Sequence, residues 1–140
     1  MITTEDARIG MPIYHDFELY FIEEIRPHGG TGELHYVIDS GYIRTSVEPE
    51  NAFPVTKRIR IISDNFKTSR NALSKLGNVG LDLASINSSY VSDWRDICNY
   101  ADDDMYVSKR LADFRDLHLN IVNRAKDRSS ETIEGVKIFK

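Results

Sequence analysis

Phe17-Glu18-Leu19-Tyr20-Phe21-Ile22-Glu23-Glu24-Ile25, then Arg26-Pro27-His28-Gly29-Gly30-Thr31-Gly32, then Glu33-Leu34-His35-Tyr36-Val37-Ile38-Asp39, is a strand, a reversal and a second strand. Successive side chains of a strand point to opposite faces, so Leu19, Phe21, Glu23 and Ile25 lie opposite Tyr20, Ile22 and Glu24. Both faces are heavily apolar, and the adjacent carboxylates Glu23-Glu24 mark the natural place for a bulge. Proline fixes its own φ and glycine tolerates positive φ, so residues 26–32 can turn the chain back into a hairpin.

Working outward, Ile9-Gly10-Met11-Pro12-Ile13-Tyr14 reads as a preceding short strand, which Pro12 confines to an edge or an irregular start. Ser40-Gly41 turns the chain into Tyr42-Ile43-Arg44-Thr45-Ser46-Val47, rich in β-branched and aromatic residues. Glu48-Pro49-Glu50-Asn51 breaks the pairing before Ala52-Phe53-Pro54-Val55. Five short strands joined by tight turns predict a small barrel over residues 1–56.

The pattern from Ile9 to Val55 resembles the small SH3-like barrels of the Tudor and KOW type and covers about a third of the chain. In such barrels a single 3₁₀ turn precedes the last strand, which here falls on Glu48–Asn51, and Phe53 would plug the interior. The resemblance implies a binding module, for nucleic acid, methylated lysine or arginine, or transcription machinery, with Tudor-like the better name. Among its aromatics, Tyr14, Tyr20, Phe21, Tyr36 and Tyr42, the tyrosines are the candidates for a partner-binding rim. They would form a cage for a cation or a platform for a base, with Asp16, Glu18 or Asp39 as the carboxylate. The competing role for the same residues is to fill a small interior.

Residues 57–140 read as a helical unit framed by a short β-ribbon, making the whole an α+β protein. Lys57-Arg58-Ile59-Arg60-Ile61-Ile62 and Val136-Lys137-Ile138-Phe139-Lys140 both alternate, and are expected to pair with each other. Between them, Asp64 can cap a helix through Phe66, Arg70, Leu73 and Leu76, stopped by Gly77-Asn78 and Gly80. A second helix spans about Ser89 to Tyr100, with Tyr90, Trp94, Ile97 and Cys98 on one face and Trp94 as core anchor. The third follows Asp102-Asp103-Asp104, carries Val107, Leu111, Phe114, Leu117, Ile121 and Val122 at spacings of three and four, and should end near Lys126. Each half alone has a thin core, so the seam between them is expected to be packed.

The net charge of −4 hides an alternation. Residues 1–53 hold 10 acids and 3 bases, 54–80 hold 1 and 6, 81–106 hold 6 and 1, and 107–140 hold 5 and 8. An acidic protein can still grip phosphate if its basic segments meet on one face, since charges beyond about 10 Å are screened at 0.1 M salt. No run approaches the roughly 18 apolar residues of a membrane span, and the N-terminus lacks an export pattern. With Cys98 as the lone cysteine, a reducing, cytoplasmic setting is expected.

No catalytic or metal motif stands out, and no cofactor is expected. His15, His28, His35 and His118 are scattered without ligand spacing, and Asp102–Asp104 do what a helix N-terminus needs. The strongest site candidates are Lys57, Arg58, Arg60, Lys67, Arg70 and Lys75, with Arg124 and Arg128 on the third helix, accompanied by Thr68, Ser69, Asn71 and Ser74. They predict a non-enzymatic protein that binds nucleic acid, duplex DNA above all, while the acidic barrel faces a host or transcription protein. Such a molecule would be an accessory factor of transcription or chromatin, and its compactness suits a virus or mobile element. The alternative is a protein-binding adaptor or inhibitor that uses the acidic barrel.

Overall fold

The computed structural model describes residues 1–76 and 82–139, with side chains throughout except at positions 31 and 128–139. Six strands come first: β1 (Pro12–His15), β2 (Glu18–Phe21), β3 (Glu24–Pro27), β4 (Leu34–Asp39), β5 (Arg44–Val47) and β6 (Phe53–Pro54). Three helices follow, α1 (Lys57–Ser74), α2 (Leu83–Asn99) and α3 (Asp104–Phe139). The fold is therefore α+β, with antiparallel strands arranged in two sheets, β2-β1-β6 and β3-β4-β5. No helix among the described residues is long and apolar enough to cross a membrane.

The run Phe17–Ile25 serves both sheets, burying Phe17 and Ile22 while Leu19 and Phe21 stay exposed. The Ile22 N–H donates to the Met11 carbonyl at 2.9 Å and the Glu23 N–H to the Val37 carbonyl at 2.8 Å, so the chain crosses between sheets at these two residues. The expected hairpin between β3 and β4 forms, with Gly32 at φ 75° closing its loop. The pairing differs from a closed five-stranded barrel, because β5 bonds only β4 and the two-residue β6 bonds only β1. A 3₁₀ turn at Pro49–Asn51 diverts the chain after Val47, and Pro49 and Pro54 have no N–H to continue a ladder.

Between the sheets Ile13, Ile22, Tyr36, Ile38, Val47 and Ala52 form one core. The polar-looking N-terminus completes it: the Ile2 N–H donates to the Ala52 carbonyl at 2.8 Å, and the Tyr36 hydroxyl donates to the Ile2 carbonyl at 2.9 Å. The opposite face of β1 and β6 builds a second core with the helices. Phe53 lies across from Tyr14 and packs edge-on to Trp94 at 5.1 Å, so it fills the helical core instead of plugging the space between the sheets. Phe66 stacks on Phe114 at 3.9 Å, and the Trp94 indole N–H donates to the buried Ser63 hydroxyl at 3.0 Å. Cys98 is buried in the same cluster, and burial pushes its thiol pKa up.

The predicted β-ribbon is replaced by helix at both of its strands. Lys57–Ile62 forms the first turns of α1, because Ile59, Ile62, Ser63, Phe66, Ser69 and Leu73 make one buried stripe at helical spacing. Thr56, not Asp64, caps it, its hydroxyl accepting the Ile59 N–H at 3.1 Å. Residues 136–139 belong to α3, which runs past Lys126, while Lys140 and the expected stop at residues 77–80 lie outside the described residues. α2 starts six residues earlier than its apolar face predicts, capped by Asp82 through the Ser85 N–H at 3.1 Å. Asp103 caps α3 through the Tyr106 N–H at 3.0 Å.

Candidate functional site

The sheets and helices meet at a two-residue turn. Asp16 and Phe17, between β1 and β2, both take the left-handed conformation, with φ 47° and 52°, although neither is glycine. Phe17 is buried between Phe66 and Trp94, with the Arg70 guanidinium 5.1 Å above its ring. Asp16 accepts from Arg95 of α2 at 3.0 Å, and Glu18 is bound by both Lys67, at 3.2 Å, and Arg70 of α1. Burial alone would raise the Glu18 carboxyl, but hydrogen bonds and charge from Arg70 and Lys67 outweigh it and hold the pKa below the usual value.

These pairings decide the fate of the predicted basic face. Lys67 and Arg70 are turned toward β2 by Glu18, whereas Arg58, on the other flank of α1, pairs with Asp104 and donates to the Ala101 carbonyl at 2.9 Å. Three of the candidate cations are thus engaged by carboxylates on two different flanks of α1. Lys57 and Arg60 on α1, Lys75 just past its C-terminus and Arg124 on α3 are exposed, with no ion-pair partner among the described residues, and the Arg128 side chain lies outside them. Arg95, the partner of Asp16, was not among the sequence candidates, because nothing local couples residues 79 apart.

The tyrosine rim does not assemble either. Tyr14 and Tyr36 are buried, one in each core, because the pleat turns them inward. Tyr20 is half-buried on the face of β2 opposite Tyr14's face, since it pairs with Ile13 whereas Tyr14 pairs with Leu19. Only Tyr42 stands out, 97% exposed at the turn between β4 and β5 beside Ile43 at 65%. Its neighbour Gly41 adopts φ 93°, and the Asp39 carboxylate accepts the Gly41 N–H at 2.8 Å.

The acidic half keeps carboxylates at the surface below β5. Glu48 and Glu50 are exposed and carry no salt bridge among the described residues. A hydrogen bond with Glu50 and its charge raise the Glu48 pKa, while a backbone N–H and the same bond lower that of Glu50, as expected for two acids forced together. Beside them Met1, Leu34 and Pro49, with the polar Thr3, Thr4, Glu33 and Glu50, line a surface cleft of about 360 Å³. Among the described residues no three His, Cys, Asp or Glu side chains come together as a ligand set for a metal.

His118 of α3 is half-buried at the margin of the helical core, where its Nδ1 and the Tyr90 hydroxyl share a hydrogen bond at 3.0 Å. Burial lowers the His118 pKa from its ordinary 6.5 and raises that of Tyr90 to about 12. The unfolded chain therefore takes a proton at His118 before the folded one does, so stability is full above about pH 6.5 and falls as pH drops from there through the lower folded value. Urea unfolding from pH 8 to 5 should show this loss in the parent, and His118→Gln should remove that part of the slope. An unchanged slope would refute it.

Searches of protein-family models, of curated proteins and of solved structures find no match to this chain.

Proposed function

We propose that the chain is a non-enzymatic docking protein whose acidic β half receives a cationic segment of a partner protein, as an adaptor or as an inhibitor occupying a basic site. The distribution of free charge carries this reading. Arg58, Lys67 and Arg70 are held by Asp104 and Glu18, whereas Glu48 and Glu50 face solvent beside a cleft of mixed polar and apolar lining. Charge complementarity of this kind selects and steers a partner more than it tightens the complex. The two sheets sharing one bent strand are read here as an open relative of the Tudor-like barrel, in which residues 1–56 supply the docking surface and residues 57–140 brace it.

Fluorescence anisotropy with a labelled lysine-rich peptide and a duplex of about 20 base pairs at 50 mM salt tests the proposal. The expected result is peptide binding that fades by 200 mM salt, with no retention of duplex. Retention of duplex without peptide would overturn it.

A second reading, an accessory factor of transcription or chromatin gripping duplex DNA, is favoured by the exposed Lys57, Arg60, Lys75 and Arg124. Four such cations limit the slope of log affinity against log salt to about −3 to −4, and Arg60→Ala would flatten it by about one. A steeper slope would require Lys67, Arg70 and Arg58 to leave their carboxylates.

A further inference from the structure

We propose that the outer edge of β5 takes up an extended, lysine-rich segment of a partner protein as an added strand, with the segment's cations meeting Glu48 and Glu50. This rests on the docking reading above and adds where and how the partner is held.

The hydrogen-bond alternation of an antiparallel ladder identifies which groups face outward. The Ser40 N–H donates to the Ile43 carbonyl at 3.1 Å, so this is a bonded pair. Stepping by two along the register, Ile38 with Thr45 and Tyr36 with Val47 are bonded pairs too, and Arg44 and Ser46 turn their N–H and carbonyl groups away from β4. Val37, which faces Ser46, agrees with this, since its carbonyl is directed to Glu23 on the other side. Among the described residues β5 has no strand on its outer side, for the sheet ends there.

Proteins usually guard such an edge with a charge, a proline or a covering loop. Here the one charged side chain of β5, Arg44, is drawn across the sheet by Glu23 at 3.2 Å and Glu24 at 3.6 Å. Exposed Tyr42 and Ile43 extend the edge at one end, and Glu48 and Glu50 follow it at the other. Apolar contact at one end and two carboxylates at the other fit an extended segment in which lysine alternates with an apolar residue. A second copy of this chain is a poorer occupant, because its own β5 edge is followed by Glu48 and Glu50 and brings no lysine to meet them.

The probe is a nine-residue peptide alternating lysine and valine, titrated into the ¹⁵N-labelled full chain at 50 mM salt. The expected result is chemical-shift change centred on residues 42–50 and slowed hydrogen exchange at the Arg44 and Ser46 amides. Ser46→Pro removes an outward N–H that bonds nothing within the sheet, so it should weaken the peptide at least tenfold while the remaining spectrum is kept. Should that variant not fold, the exchange of the two amides in the parent decides alone. Peptide that binds with both amides exchanging freely, or that binds Ser46→Pro as tightly as the parent, overturns strand addition and leaves the docking reading standing. Absence of peptide binding defeats both, and a dimer that Ser46→Pro dissolves would make a second copy the occupant and overturn the proposal.

Discussion

Phe17→Ala is expected to lower stability by about 3–5 kcal/mol, the range for removing a fully enclosed aromatic side chain. The ring lies between Phe66 and Trp94 under the Arg70 guanidinium, in the core that joins β1 and β6 to the helices, so its loss opens a cavity at the seam. Its backbone adds a second, sharper expectation. At φ 52° a side chain costs roughly 1–2 kcal/mol that glycine does not. Glycine's greater freedom in the unfolded chain returns part of this, and Phe17→Gly should be more stable than Phe17→Ala by about 0.5–1 kcal/mol. Urea unfolding of the three proteins checks the order. If alanine proves the better replacement, the left-handed turn is not strained as described.

Local turn chemistry made the β3–β4 and β4–β5 hairpins legible. Pro27 and the glycines that follow allow one reversal, Ser40-Gly41 the other, and neither depends on the rest of the chain. Lys57–Ile62 is ambiguous because within six residues Ile59 and Ile61 fit a period of two while Ile59 and Ile62 fit a helix. The helical spacing emerges only when Phe66, Ser69 and Leu73 join the stripe, and buried serines do not register as apolar. The far end of α3 is hidden for a related reason, since its apolar stripe thins after Val122 although Ala125 is buried and no proline interrupts the chain.

The candidate site was legible in composition and not in arrangement. The cations were counted correctly, but whether each is available depends on Glu18, 52 residues before Arg70, and on Asp104, beyond a whole intervening helix. Sequence spacing carries no signal for such pairs. Tyr36 shows the same limit: its alternation places it on one face of β4, but only the N-terminal Ile2 carbonyl that accepts its hydroxyl reveals that this face is closed. The edge of β5 follows from strand order, which is a property of the assembled sheets.

The second large effect concerns binding. Replacing Glu48 and Glu50 together by glutamine keeps their size and polarity and removes two exposed charges, so the fold should be unaffected. Exposed ion pairs contribute little singly, but two lost together should weaken a lysine-rich peptide roughly three- to tenfold at low salt and flatten its salt dependence. The most direct measurement is therefore the affinity of the lysine–valine peptide for the parent and for Glu48→Gln/Glu50→Gln at 50 mM salt. The account predicts that the parent binds and the variant binds severalfold more weakly. Equal affinity in the two proteins would contradict it.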